Sequence, residues 1–77
     1  MTIEILTPGK KLFSGEATSV NAPGKAGRLG ILNNHASLIT TLKEGKIEVA
    51  TADGIQTFDV NGGVLEVLNN HVIILAE

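Results

Sequence analysis

The chain has 77 residues, a formal net charge of −2 from 6 basic and 8 acidic side chains, 2 histidines and no cysteine. These numbers exclude a disulfide framework, a thiolate metal site and a basic surface dense enough to displace phosphate counterions. At this size a chain buries only about 60% of the surface its unfolded form exposes, so a partner that binds the folded form is a natural source of stability.

Two phenylalanines without tyrosine or tryptophan leave no platform on which bases could stack. Two isolated histidines fall short of the about four closely spaced ligands of a structural zinc site. The longest apolar stretch, Val72 to Ala76, is far below the roughly 20 residues that span a bilayer. Glu4 and the alternation around it are unlike a signal peptide. A cytosolic, soluble chain that binds no nucleic acid is expected.

Period two dominates. Ile3 and Ile5 alternate with Thr2 and Glu4 as in a half-buried strand. Thr7-Pro8-Gly9 reads as a turn and Lys11 to Phe13 as a short strand, with Gly15 allowing another turn. Glu16 to Ala22, with β-branched Thr18 and Val20, reads as a strand that Pro23 ends. Gly24, Gly27 and Gly30 punctuate the next segment around the apolar Leu29, Ile31 and Leu32. Asn33-Asn34-His35 is a turn before a Ser37 to Leu42 strand.

Lys43-Glu44-Gly45 connects to Lys46 to Thr51, where Ile47 and Val49 face one side and Glu48 the other. Asp53-Gly54 predicts a type I′ hairpin turn into Ile55 to Val60, because that turn needs φ > 0 at both central positions. Asn61-Gly62-Gly63 reads as a turn or bulge before Val64 to Leu68. Asn69-Asn70 closes a two-residue hairpin into His71 to Leu75, since asparagine tolerates the left-handed region. Roughly nine short strands with turn signals about every 6 to 10 residues predict an antiparallel sandwich or barrel.

Signals of catalysis are missing. Gly24, Gly27 and Gly30 lack the lysine and hydroxyl residue of a phosphate loop and the flanking elements of a dinucleotide fingerprint, and read as permitting tight bends. His35 and His71 stand alone, without a nucleophile arranged around them. Ser14, Ser19 and Ser37 sit in no nucleophile elbow. The acids Glu4, Glu16, Glu48, Asp59 and Glu66 occur singly, as solvent-facing strand positions do. No catalytic, cofactor or metal residue is assigned, and the chain is not read as an enzyme.

Several motifs recur in a fixed order: Phe13-Ser14-Gly15-Glu16, Ala22-Pro23-Gly24, Gly27-Arg28-Leu29-Gly30-Ile31-Leu32, Asn33-Asn34-His35-Ala36, Gly62-Gly63-Val64-Leu65-Glu66-Val67 and Val72-Ile73-Ile74-Leu75-Ala76. In this series the chain resembles the N-terminal domain of the epsilon-subunit family of F-type ATP synthases, called delta in mitochondria, along its whole length. The resemblance implies an all-β fold, an about ten-stranded antiparallel β-sandwich, forming a single domain over residues 1–77. It implies a non-catalytic rotor element of the central stalk that binds the gamma subunit and the membrane ring of c subunits, coupling proton-driven rotation to ATP synthesis. The subunit would need no cofactor, touch the membrane only through the complex, sit at the cytoplasmic face of a bacterial inner membrane and be a monomer when isolated.

Carried over position by position, the resemblance implies a c-ring-facing set of Lys25, Gly27, Arg28, Leu29, Gly30 and His35. It also implies a gamma-facing set of Thr7, His35, Thr40 and Asn61. From the residues alone, Arg28 is either a solvated loop charge or, with glycines near it, a projecting contact, and His35 caps a turn.

The family pattern has Pro-Gly where this chain has Asn33-Asn34, a proline at Ser37 and, in many members, an acid at Arg28. The chain also stops at Glu77, where the family continues into an inhibitory helical pair, so the helical brake on hydrolysis is expected to be missing. The competing reading is a generic small β-sandwich binding module, with a minimal hydrolase built on the Gly24 to His35 loop as a third.

Overall fold

The computed structural model describes residues 1–77. It contains nine strands: β1 (Thr2–Thr7), β2 (Lys10–Glu16), β3 (Ser19–Gly24), β4 (Gly27–Leu32), β5 (Leu38–Leu42), β6 (Gly45–Thr51), β7 (Gly54–Val60), β8 (Gly63–Leu68) and β9 (His71–Ala76). They form one curled sheet in the order β2-β1-β9-β8-β5-β3-β6-β7, with β4 on the free side of β3. The link between β5 and β3 is the single pair Gly24–Leu42, so the sheet folds there into two facing layers. One layer is β2-β1-β9-β8-β5 and the other β4-β3-β6-β7.

Alternation along the strands builds the core between the layers. Ile3, Ile5, Leu65, Val67, Val72 and Ile74 face inward from the first layer, and Val20, Ala22, Ile31, Ile47, Val49 and Val60 from the second. No polar or charged residue is buried. Along one side of the sandwich the edge strands meet through Phe13 and Phe58, whose rings are 5.8 Å apart and tilted.

All strands but one pair run antiparallel. β1 lies parallel to β9, with Thr2 opposite His71 and Ile5 opposite Ile74, so the wholly antiparallel, about ten-stranded expectation becomes a mixed nine-stranded sandwich. Period-two patterning carries no strand direction. Here the first strand is inserted between the second and the last, and the intervening chain serves as its crossover.

Gly15, expected to allow a turn, lies inside β2, and the turn falls at Ala17-Thr18, between Glu16 and Ser19. Three other local expectations change for physical reasons. The Thr51–Gly54 pair leaves Ala52-Asp53 as the loop, and of these residues only Gly54 has positive φ. The turn is therefore of the type that places a left-handed glycine after the loop, not the mirror-image type. Thr51 Oγ1 steadies it by accepting from the Asp53 amide at 3.2 Å and donating to the Gly54 carbonyl at 2.9 Å.

Pro23 lies inside β3 and does not end it. Pairing of β3 with β6 stops at Asn21, so the missing N–H falls where no ladder bond is needed, while the Pro23 carbonyl accepts from the Lys43 amide. Gly27 to Leu32, read as a punctuated segment, is a strand paired along β3. The Asn69-Asn70 turn is as expected: both residues have positive φ, 50° and 60°, and Leu68 pairs with His71.

Gly63 shows why the second glycine of its pair is needed. Its φ is +140°, and a Cβ there would drive into the Leu75 carbonyl and lie 3.0 Å from the Ala76 Cα. Gly30, by contrast, has open space around a Cβ position. Gly63→Ala is expected to cost about 2 to 4 kcal/mol from backbone strain and overpacking, and Gly30→Ala to stay within about 0.5 kcal/mol. Equilibrium urea unfolding of the two variants checks this, and similar midpoints would refute it.

Candidate functional site

The sandwich has two distinct ends. At one, here the Lys25 end, lie the turn around Pro8-Gly9, the Lys25-Ala26 tip of the β3–β4 hairpin, Lys43-Glu44 and Asn61-Gly62. At the other, the Asn70 end, lie Ala17-Thr18, the Asn33 to Ser37 segment, Ala52-Asp53 and Asn69-Asn70.

The residues expected on one surface do not all come together. Lys25 and Gly27 are exposed at the Lys25 end, Leu29 is half-buried against the core, and Gly30 is partway along β4. His35 lies at the Asn70 end, exposed, its Nδ1 2.8 Å from the Ala36 carbonyl, a turn-capping contact. Thr7 and Asn61 are at the Lys25 end, with Thr7 Oγ1 donating to the Lys10 carbonyl at 3.2 Å. Thr40 is half-buried midway along β5. The second set therefore runs the height of the sandwich, and His35 fits it better than the first. Gly24 and His35, the limits of the loop on which a minimal hydrolase would be built, are at opposite ends.

Arg28 points back across the second layer. From β4 its Nε donates to Asn21 Oδ1 on β3 at 2.7 Å, and its Nη1 donates to the Lys46 carbonyl on β6 at 2.9 Å. Its Nη2 reaches Glu48 Oε1 at 3.4 Å. The planar guanidinium supplies several donors in a fixed fork, which a lysine cannot reproduce. Arg28 thus clamps three strands just behind the exposed Lys25-Ala26 tip. The tip is held from the other side by the Lys25 amide donating to the Thr41 carbonyl at 3.1 Å.

The outer faces of the two layers differ in chemistry. On the second, the Arg28–Glu48 contact and a Lys46–Asp59 pair at 2.8 Å form a polar ladder, and the exposed Ile55 and Leu32 stand apart from each other at its Asn70 end. On the first, large apolar side chains stand in solvent: Ile39 is 71% exposed, Leu75 54%, Leu68 52% and Val64 38%. Leu6 and Ile73 lie half-buried beside Leu75 and Glu66 in the strand register. Only Glu4, Glu66 and His71 bring ionisable groups into the middle of this face, and His71 Nε2 lies 3.7 Å from Glu4 Oε1.

Reading the sequence for chemistry missed this face. Its signal was nonetheless present in Val72-Ile73-Ile74-Leu75, where apolar residues occupy both phases of a strand and so both faces of the sheet. Monomeric proteins rarely leave a contiguous apolar patch uncovered unless something binds there. No cluster of three or more His, Cys, Asp or Glu side chains is arranged to hold a metal ion.

Comparison with known proteins agrees with the geometry. The family model for the ATP synthase delta/epsilon chain β-sandwich domain matches residues 1–77. The ATP synthase epsilon chain of Caulobacter vibrioides is 44% identical over 73 residues, covering 95% of this chain and 85% of that one. The epsilon chain of Xanthomonas euvesicatoria is 49% identical over 75 residues, covering 96% of this chain but 54% of its own length. This chain therefore spans most of some relatives and about half of others. Among solved structures, a chain of the Tetrahymena thermophila mitochondrial ATP synthase central stalk and c ring superposes with a TM-score of 0.83 at 18% identity, covering 97% of this chain and 61% of that chain.

Arg28→Ala is expected to cost about 1 to 2 kcal/mol, most of it from the two bonds to neutral acceptors. Arg28→Lys should recover little of this, and the loss should persist at high salt, where an exposed ion pair alone would be screened. Thermal unfolding with and without 1 M salt (about a 3 Å screening length) checks it; a loss that vanishes in salt would show that only the Glu48 pair matters.

Proposed function

The chain belongs to the ATP synthase delta/epsilon β-sandwich family, and from that premise we propose that residues 1–77 act as one non-catalytic unit of the rotor. It binds the gamma subunit laterally and stands on the c ring, coupling proton-driven rotation to ATP synthesis. The unit works at the cytoplasmic face of a bacterial inner membrane, and it meets the membrane only through the complex. No helix of the chain is long and apolar enough to cross a bilayer, which agrees with a peripheral position.

The observation that carries this reading is the exposed apolar face of β1, β9, β8 and β5. It is bordered by Thr7 and Asn61 at the Lys25 end and by His35 at the Asn70 end, so a gamma subunit seated there would meet these three; Thr40, opposite the buried Leu65 in the strand register, faces the inner side of β5 and is not part of this contact. The Lys25 end then points along the stalk towards the ring, with the Lys25-Ala26-Gly27 tip as the contact. Arg28 serves that contact from behind by fixing the hairpin, Leu29 anchors it in the core, and Gly30 leaves β4 slim beside it.

Transmitting torque demands a body that does not shear. Two layers welded at Gly24–Leu42, by Lys43 N to Pro23 O at 2.9 Å, and by Lys25 N to Thr41 O at 3.1 Å supply one at the Lys25 end.

The test is binding of the cognate gamma subunit by isothermal titration. Ile39→Asp with Leu68→Asp should weaken it about a hundredfold or more, because each puts a charge into a desolvated contact. Thr57→Asp, on the polar outer face, should leave it unchanged. Equal affinity for all three proteins would remove the first layer from the interface.

A further inference from the structure

Glu66 is placed where a docked partner must deal with it. Along β8 it lies between Val64 and Leu68, and in the strand register it faces Ile39 on β5 and Ile73 on β9. The four neighbours are apolar, and three of them, Ile39, Leu68 and Val64, are exposed to solvent. Two shallow depressions, of about 360 and 450 Å3, adjoin along Glu66 and Leu68, one running towards His71 and the other towards Ile39.

The other carboxylate of this face is already compensated: Glu4 has Lys11 Nζ 3.7 Å from one oxygen and His71 Nε2 3.7 Å from the other. Glu66 forms no ion pair and no side-chain hydrogen bond. In the free chain water satisfies it. Covering the apolar face removes that water, and an unpaired carboxylate in a dry contact is strongly unfavourable.

We propose, resting on the reading that this face docks on gamma, that the docked segment presents one lysine or arginine, bracketed by apolar side chains, to the Glu66 carboxylate. The charge sets the register of an otherwise non-directional apolar contact, as electrostatic complementarity does at other interfaces. Other occupants suit the face less well. A second copy in two-fold contact would bring Glu66 towards its own mate near the centre of the patch. An anionic lipid surface would meet Glu4 and Glu66 instead of the basic residues such surfaces attract.

Titration of the cognate gamma subunit into this chain and its Glu66→Gln variant decides the matter by sign. With a cation opposite, Glu66→Gln leaves that cation unpaired. Binding then weakens about tenfold or more, and its dependence on salt flattens. Without one, the variant removes a desolvation cost and binds as tightly or more tightly, which overturns the proposal. The Glu66→Gln chain should unfold at the temperature of the parent, since no partner in the chain is lost.

The Ile39→Asp, Leu68→Asp protein separates the two claims. If it fails to bind while Glu66→Gln binds normally, the docking face stands and the cation does not. If both bind normally, the docking face falls and the cation with it. Dimerisation of the chain alone that Ile39→Asp abolishes would assign the face to a second copy and overturn the proposal.

Discussion

Pairing of β1 with β9 holds the first layer together. Without it, β2 and β1 would be a detached hairpin and β9, β8 and β5 an open three-stranded sheet, each exposing half of the core that Ile3, Ile5, Val72 and Ile74 share. This pairing joins the two ends of the chain, so it can form only after the long intervening segment has closed as a loop. Much else follows from it. The approach of β8 to β9 that excludes a side chain at Gly63 sets the height of the layer, and the layer must then be coupled to its neighbour at a corner as narrow as Gly24–Leu42.

That architecture divides the surface unequally. Both layers turn an apolar face inward, but only the second turns a polar ladder outward; the first is apolar on both sides over β5, β8 and β9. A small sandwich gains little from such exposure by itself, since apolar area left in water contributes nothing to folding. The exposed face makes sense as surface reserved for a partner, which then stabilises the folded form by mass action. Composition alone pointed to a partner, and in the structure the outer face of the first layer is the more apolar of the two.

The strands were legible because one residue in two had to face the core: Ile47 and Val49 against Glu48, or Leu65 and Val67 against Glu66, specify strand and face together. The Asn69-Asn70 hairpin was legible because two consecutive left-handed residues are a narrow chemical demand. Direction was not legible, since alternation reads the same from either end, and so the parallel β1–β9 pair went unseen. Pro23 misled because a proline ends a strand only where the ladder needs its N–H, which depends on where β6 departs. The apolar outer face was hidden for a related reason. Ile39 and Leu68 look like core residues until the register assigns Leu38 and Val67 to the inside. The segment from Lys25 to Gly30, expected as a loop, is the tip and second strand of a hairpin, and His35, grouped with it, lies at the far end.

Arg28 illustrates how residue type and position can suggest one role and geometry another. A cation flanked by glycines near a hairpin tip looks free to reach outward. In the fold, β4 is an edge strand held on one side only, and the guanidinium supplies what a second neighbour would: donors reaching over β3 to the Lys46 carbonyl and Glu48 on β6. An edge strand left to one ladder would fray most at its hairpin, the segment that has to be stiff if it bears on a turning ring. The glycines permit the turn, and the arginine restores the stiffness that they remove. A residue in this position affects an interface through the precision of the loop it holds, even if it never touches the partner.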